Sequence, residues 1–285
     1  MNRARWGMLV SGAFLLALLA TLVAMGLGNA QATPIIRRIT IAMPGWPRGA
    51  PGVRVALLSD IHLGNLGMEP RRLDKIVDQV NAARPDVVLI AGDFVTGHNP
   101  TGAAERAAGL TLPLARLRAP LGVIAVLGNH DHWTGSEAVR QALKKAHITV
   151  LENQAVRRGP LVIVGVGDRF SGHDDVSQAW AEARPLGGTP IVLTHSPDIA
   201  PVLPPVFPLV LAGHTHCGQV VLPGFGPLLT RAPREHWRQL YNPRYRCGII
   251  RDPGRVTIVT AGLGSGTTPL RLGAMPDWWL LTLRP

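Results

Sequence analysis

The sequence predicts an α/β (α+β) protein of two packed sheets with helices outside, behind an N-terminal hydrophobic helix. Three observations carry this. Short apolar runs alternate with helix-period segments in the first half of the chain, and the second half is dense in strands. Counts of 32 glycines and 25 prolines in 285 residues supply the tight connections that short elements need. Hydrophobic residues make up 46% and charged residues 16%, a globular rather than a disordered composition.

At the N-terminus, Arg3 and Arg5 precede a run without charge from Trp6 to Leu27. A helix of that length reaches roughly 33 Å, enough to cross a bilayer core. It has no polar face, which argues against a buried core helix. Ala30-Gln31-Ala32 forms a small-residue cleavage site, so residues 1–32 read as a transmembrane anchor or a cleaved export signal. The anchor is preferred, because the apolar stretch is longer than a signal requires. Arg3 and Arg5 favour a cytoplasmic N-terminus and export of the rest, while Arg37 and Arg38 pull the other way. Residues 33–50 read as a linker and 51–285 as one domain.

Within the domain, Val53–Leu58 is a strand ending at Ser59-Asp60. Residues 70–83 have helical spacing, with Leu73, Ile76, Val77 and Val80 on one face. Val87–Ile90 is the next strand, 103–117 a helix, and Val123–Leu127 a strand ending at Gly128-Asn129-His130. A helix over 136–146 follows, with Ser136 placed to cap it. Further strands are predicted at 149–151, 161–166, 191–194, 209–212, 219–222, 255–260 and 278–283. Trp278 and Trp279 read as core residues of the last strand rather than interfacial anchors.

The formal net charge is +11, and lysine occurs only at Lys75, Lys144 and Lys145, so nearly all of it is arginine. That balance fits an anionic substrate, an anionic membrane surface or nucleic acid, and alone selects none of them. Nucleic acid is disfavoured, because aromatic residues are 5% of the chain and no aromatic-basic platform is visible. Cys217 and Cys247 are too few for a disulfide framework and lie outside any C-x-x-C pattern. They read equally as one bridge or as two free core thiols.

Five segments carry chemistry: Asp60-Ile61-His62, Gly92-Asp93, Gly128-Asn129-His130-Asp131, Thr194-His195 and Gly213-His214-Thr215-His216. A side chain at a strand's end keeps its geometry, and glycine lets the backbone turn beside a ligand. Carboxylate, imidazole and amide oxygen form a mixed donor set suited to Mn, Fe, Zn or Mg. In Gly-His-Thr-His, an extended backbone would put both imidazoles on one side. Asp93 stands alone on its strand end and is the natural carboxylate to bridge two cations about 3.5–4 Å apart. His98, His132, His147, His173 and His236 lack such context and read as surface or core histidines.

In order, Ser-Asp-Ile-His-Leu-Gly (59–64), Ala-Gly-Asp-Phe-Val (91–95), Leu-Gly-Asn-His-Asp (127–131), Leu-Thr-His-Ser-Pro-Asp (193–198) and Ala-Gly-His-Thr-His-Cys-Gly-Gln (212–219) resemble the calcineurin-like metallophosphoesterase family. With Gly-Leu-Gly-Ser-Gly (262–266), Pro-Leu-Arg-Leu (269–272) and the hydrophobic N-terminus, they look most like its membrane-associated bacterial subgroup, typified by YaeI and YkuE. The resemblance implies a metallophosphoesterase-like two-sheet β-sandwich flanked by helices. It implies one divalent metal on Asp60, His62, Asp93 and His216, and a second on Asp93, Asn129, His195 and His214. His130 would be the catalytic residue, facing the scissile phosphate. Two departures stand out. Thr96 occupies the place where a Gly-Asp-x-x-Asp pattern puts the Asp supporting that histidine, leaving the support of His130 unassigned. Cys217 stands where the subgroup often has glycine, read as a tolerated small residue in preference to a soft ligand.

The function so implied is dinuclear-metal hydrolysis of a phosphodiester or pyrophosphate on a lipid or other envelope-associated substrate. The chain would sit in a bacterial inner membrane by a single N-terminal span, its domain extracytoplasmic. One alternative is a UDP-2,3-diacylglucosamine pyrophosphatase of lipid A synthesis, which needs a cytosolic site. Another is a non-catalytic metal-binding scaffold at the membrane or cell wall. No protein partner is predicted.

Overall fold

Successive residues of a strand point to opposite faces, so an unbroken apolar run such as Val53–Leu58 must be covered on both sides. The chain meets this demand by stacking two sheets and covering their outer faces with helices. The computed structural model describes residues 3–232 and 236–285. In chain order the strands are β1 (Ile35–Ala42), β2 (Val53–Leu58), β3 (Val87–Ala91), β4 (Val123–Val126), β5 (Thr149–Val150), β6 (Gln154–Arg158), β7 (Leu161–Gly165), β8 (Thr189–Leu193) and β9 (Leu209–Ala212). There follow β10 (Val221–Leu222), β11 (Gly226–Pro227), β12 (Arg231–Ala232), β13 (Arg238–Gln239), β14 (Gly248–Asp252), β15 (Arg255–Val259) and β16 (Asp277–Arg284). The helices are α1 (Arg3–Gln31), α2 (Pro70–Ala82), α3 (Ala103–Ala115), α4 (Asn129–Lys145) and α5 (Val176–Ala183).

One sheet runs β1-β16-β2-β3-β4-β5 and the other β14-β15-β9-β8-β7-β6. Val55, Leu57, Leu89 and Leu281 of the first meet Ile163, Leu193, Leu211 and Ile258 of the second in the middle layer. Ala56, Leu58, Val88 and Ile90 point the other way, onto Leu73, Ile76, Val77 and Val80 of α2 and the buried faces of α3 and α4. Val162, Val164, Val192 and Val210 pack on Ala179 and Ala183 of α5. The strands β2, β3 and β4 are mutually parallel, as are β7, β8 and β9, so their C-terminal ends gather at shared edges.

Several expectations change. The stretch expected as a linker contains β1, an edge strand parallel to β16 whose Arg37 pairs with buried Asp277. Its half-exposed, arginine-bearing pattern hid it from an apolar-run reading. The expected helix over 136–146 is the second part of α4, which starts earlier, at Asn129, and is broken at Gly135, whose φ is 141°. The strands β6 and β14 and helix α5 were not anticipated, because their faces are largely exposed or short. Cys217 and Cys247 are bonded to each other, which removes both the free-thiol and the soft-ligand readings. Trp278 and Trp279 are buried, and Trp278 Nε1 donates to Gln79 Oε1 at 2.9 Å.

Among the described residues, α1 is the one helix long and apolar enough to cross a membrane, with Val10–Gln31 at a mean hydropathy of 2.3 and almost wholly uncovered. Its last turns are tied to the domain: Arg271 N donates to Gly26 O at 3.0 Å and Asn29 Nδ2 to Arg271 O at 3.1 Å.

Leu57 is fully buried between the sheets. Leu57→Ala should therefore cost about 2–5 kcal/mol through lost burial and the cavity left behind. Urea unfolding of the two proteins checks this; a change below about 1 kcal/mol would mean the layer repacks freely.

Candidate metal centre

Five strand ends converge where the two sheets meet. After β2 come Asp60 and His62; after β3, Asp93; after β4, Asn129 and His130. The second sheet supplies His195 after β8, then His214 and His216 after β9. All eight side chains are buried.

Their atoms form two groups joined by one oxygen. In the first, His62 Nε2 lies 3.1 Å from His216 Nε2, and Asp60 Oδ1 is 3.4 Å from His216 Nε2 and 3.9 Å from His62 Nε2. In the second, Asn129 Oδ1 is 2.9 Å from His214 Nδ1 and 3.1 Å from His195 Nε2, with the two nitrogens 3.2 Å apart. Asp93 Oδ2 stands between the groups, 3.5 Å from His62 Nε2 and 3.2 Å from His195 Nε2. Its other oxygen, Oδ1, accepts from the His130 N–H at the start of α4, at 2.9 Å. One carboxylate oxygen is thus pinned by a helix N-terminus and the other is shared.

The Gly-His-Thr-His segment works differently from the extended form expected of it. His214 and His216 have φ of 70° and 49° around a right-handed Thr215, so the segment is a tight turn. The turn sends the first imidazole to the second group and the next to the first. Asp60, His62 and Asp93 also have left-handed φ, between 49° and 56°. Such residues cost about 1–3 kcal/mol each and persist only where surroundings over-determine them. Here Asp60 N donates to Gly92 O and His62 N to Asp93 O, while Ser59 Oγ and the His214 N–H hold the Asp60 carboxylate. Two glycines are required by space: a Cβ at Gly128 would overlap the Asp93 carboxylate, and one at Gly213 would overlap Ser59 and Asp60.

The donor set fits a cation. His195 Nδ1 faces Ala91 O at 2.6 Å and His214 Nε2 faces Leu240 O at 2.8 Å, so each ring donates its proton outward. When both rings are neutral, their inward nitrogens, with Asn129 Oδ1 and Asp93 Oδ2, are all acceptors that cannot bond one another, so either a proton on His195 or a cation must lie among them. Burial depresses His62 to about 3 and lowers His214 and His216, which keeps these imidazoles neutral. Burial lifts the Asp60 carboxyl to about 7. Burial also opposes charge on Asp93 and His195, but the two sit side by side and override it. The histidines hold Asp93 well below the usual carboxylate range, and Asp93 holds His195 well above the usual imidazole range. Divalent cations among these atoms would answer the same demand for positive charge.

His130 has a neutral support where a carboxylate was sought. Its Nδ1 lies 2.7 Å from Gly97 O, an acceptor only, so Nδ1–H donates and Nε2 is the free nitrogen. The adjacent Asp131 is structural: it accepts from the Phe94, Val95 and Gly128 N–H groups and ties the β3 and β4 exits together. Above the two groups lies a cavity of about 320 Å³, lined by His130, Trp133, Phe170, Leu229, Arg231 and Leu240 among others.

Three contributors were missed. His98 was read as an ordinary surface or core histidine, yet it lines this cavity with its ring 4.7 Å from that of His130. Asp168 is buried after β7, where Gly167-Asp168 repeats the Gly92-Asp93 form that flagged the other strand ends; its charge reaches His195 and His214. Arg271, buried and lowered to about 10 by that burial, donates to the Gly264, Ala261 and Ala274 carbonyls with Nη2 3.1 Å from His216 Nδ1. Its segment, Pro-Leu-Arg-Leu, belongs to the resemblance, but nothing local in it points to a role for the arginine.

The family model for calcineurin-like phosphoesterase matches residues 53–218, which span all five segments. A zebrafish (Danio rerio) transmembrane protein with metallophosphoesterase domain is 32% identical over 92% of this chain and 60% of its own length. A metallophosphoesterase of Aquifex aeolicus is 30% identical over 87% of this chain and 91% of its own, and the Bacillus subtilis metallophosphoesterase YkuE is 29% identical over 84% and 81%. The chain spans only about half the length of some relatives, 45% for one from Caenorhabditis elegans. Among solved structures, TT1561 of Thermus thermophilus overlays with a TM-score of 0.46 at 14% identity, covering 75% of this chain and 91% of that one.

With its carboxyl near 7, Asp60 carries a proton below that pH in the metal-free protein, and a cation must displace it. Through this one proton, Mn affinity should fall by about tenfold in all as pH drops from about 8 to about 6, and by about tenfold per further unit below that. Calorimetry in buffers of different ionisation enthalpy reads the proton release directly; affinity independent of pH would contradict this electrostatic reading.

Proposed function

The chain belongs to the calcineurin-like phosphoesterase family, and from that premise we propose that it is a metal-dependent phosphoesterase that hydrolyses a phosphodiester or pyrophosphate carried by a membrane lipid or another envelope component. The observation that carries the reading is the shared Asp93 Oδ2 between two groups of buried acceptors, opening on a largely apolar cavity.

In this proposal Asp60, His62, His216 and Asp93 hold one divalent cation, and Asp93, Asn129, His195 and His214 hold the other. Bound there, Mn, Fe, Zn or Mg would polarise the phosphoryl group and make water a better nucleophile near neutral pH. The protein's own part is positional. Asp131 and the Gly128 turn keep Asp93 and Asn129 in register, and the Ala91 and Leu240 carbonyls fix the tautomers of His195 and His214. His130 presents Nε2 to the cavity, where the protonated ring donates to a phosphoryl or leaving-group oxygen. Gly97 O orients the ring but, being neutral, stabilises the imidazolium less than a carboxylate would. Arg231 is the arginine on the cavity wall and is placed to meet substrate charge.

An anchored domain outside the cytoplasm is the localisation this reading favours. The Cys217–Cys247 bond supports it, since disulfides persist in oxidising compartments. The same bond weighs against the cytosolic pyrophosphatase alternative.

With Mn and bis(p-nitrophenyl) phosphate, Asp93→Ala should abolish turnover together with metal binding. His130→Ala should keep both metals yet lower kcat by about 10²–10⁴. Activity of Asp93→Ala equal to that of the unaltered protein would sink the assignment. A panel of lipid phosphodiesters and pyrophosphates, each assayed with the candidate metals, then selects the substrate class.

A further inference from the structure

The cavity rim and the end of the hydrophobic helix belong to one hydrogen-bonded strip. Arg271 N donates to Gly26 O in the last turns of α1, and Asn29 of the same helix donates back to Arg271 O. The next residue, Leu272, donates to Gln219 O and accepts from Val221 N at 2.8 Å, and Leu228 N donates to Val220 O at 2.9 Å. Leu270 and Leu272 also fill the space where a side chain at Gly26 would stand, and Gly26 lies within the helix's uncharged run. The β10–β11 hairpin is therefore one strand step, about 5 Å, from a segment that itself rests on α1.

What this hairpin displays is unusual for a surface turn. Phe225 at its tip is 89% exposed, and Leu228 and Leu229 just beyond it are 57% and 54% exposed. Behind them come Arg231, on the cavity wall, and Arg238, whose guanidinium lies 4.4 Å over the Phe170 ring. Apolar tips backed by cations are the pattern of a surface seated among lipid headgroups. The cavity continues directly from this edge, since Val220, Leu229 and Leu240 line it and Leu240 O fixes His214.

We propose that the β10–β11 hairpin with Leu228 and Leu229 is a second membrane contact, inserting into an anionic leaflet beside α1 so that the cavity opens onto the headgroup layer. The inference rests on the reading of α1 as a membrane anchor and deepens the proposed substrate class. A lipid-borne phosphodiester reaches the buried acceptors along the Leu229–Leu240 wall without its acyl chains leaving the bilayer. The Cys217–Cys247 bond closes the excursion that holds the hairpin, tying the membrane contact to the turn that carries His214 and His216.

The test uses the full chain reconstituted in phosphatidylcholine and phosphatidylglycerol vesicles. Its two cysteines are bonded to each other, so Phe225→Cys offers a single thiol for a polarity-sensitive fluorophore. Phe14→Cys in α1 reports the anchor, and Leu112→Cys, exposed on α3, reports water. The proposal expects blue-shifted emission at positions 225 and 14, each quenched severalfold more by nitroxide-labelled lipid than position 112. Quenching at 14 with water-like emission at 225 overturns the hairpin contact and leaves the anchor standing. No quenching at 14 removes the anchor and the proposal together. A blue shift at 225 without lipid quenching means protein covers the hairpin, a second copy for instance, and also overturns it.

Discussion

Everything near the centre of this molecule answers to one demand, the confinement of two carboxylates and four imidazoles around the single shared oxygen of Asp93. Buried acceptors facing one another are unfavourable unless a proton or a cation lies between them. The fold makes that confinement persist by strain and by space. Asp60, His62, Asp93, His214 and His216 all sit at left-handed φ, and Gly128 and Gly213 leave no room for a side chain. Two parallel runs of strands aim their C-terminal ends at the same place, so the sheets exist in the geometry that brings these residues together.

Much of this was legible in the sequence, for identifiable reasons. Strands such as Val53–Leu58 and Leu209–Ala212 are buried on both faces and read as unbroken apolar runs. The helix Pro70–Ala82 buries the same four residues its spacing predicts. The residues grouped by order along the chain are the ones whose atoms converge, with Asp93 between the two groups. What escaped had weak local signals. β1 is an edge strand carrying two arginines, and its place is decided by pairing with β16, more than two hundred residues away in sequence. At His214–His216 the expected extended backbone is replaced by a turn, which sends the two imidazoles to different groups where an extended segment would have sent both to one. Arg271 and Asp168 draw their meaning from three-dimensional neighbours that no local window contains.

The cavity rim links this centre to the helix at the other end of the chain. A strip of four or five residues after Gly266 touches α1 on one side and the β10–β11 hairpin on the other, while Arg271 within it reaches beneath His216. Anchor, rim and metal-binding turn are thereby mechanically adjacent, although residues 26, 216 and 271 are far apart in sequence. This adjacency gives the short Pro-Leu-Arg-Leu segment a physical role that its composition alone does not explain.

Anomalous diffraction from crystals of the Mn-loaded protein tests the central claim most directly. The account predicts two peaks flanking Asp93 Oδ2, one bonded to Asp60, His62 and His216 and the other to Asn129, His195 and His214. A single peak, or two peaks of which either lies away from Asp93, would contradict it.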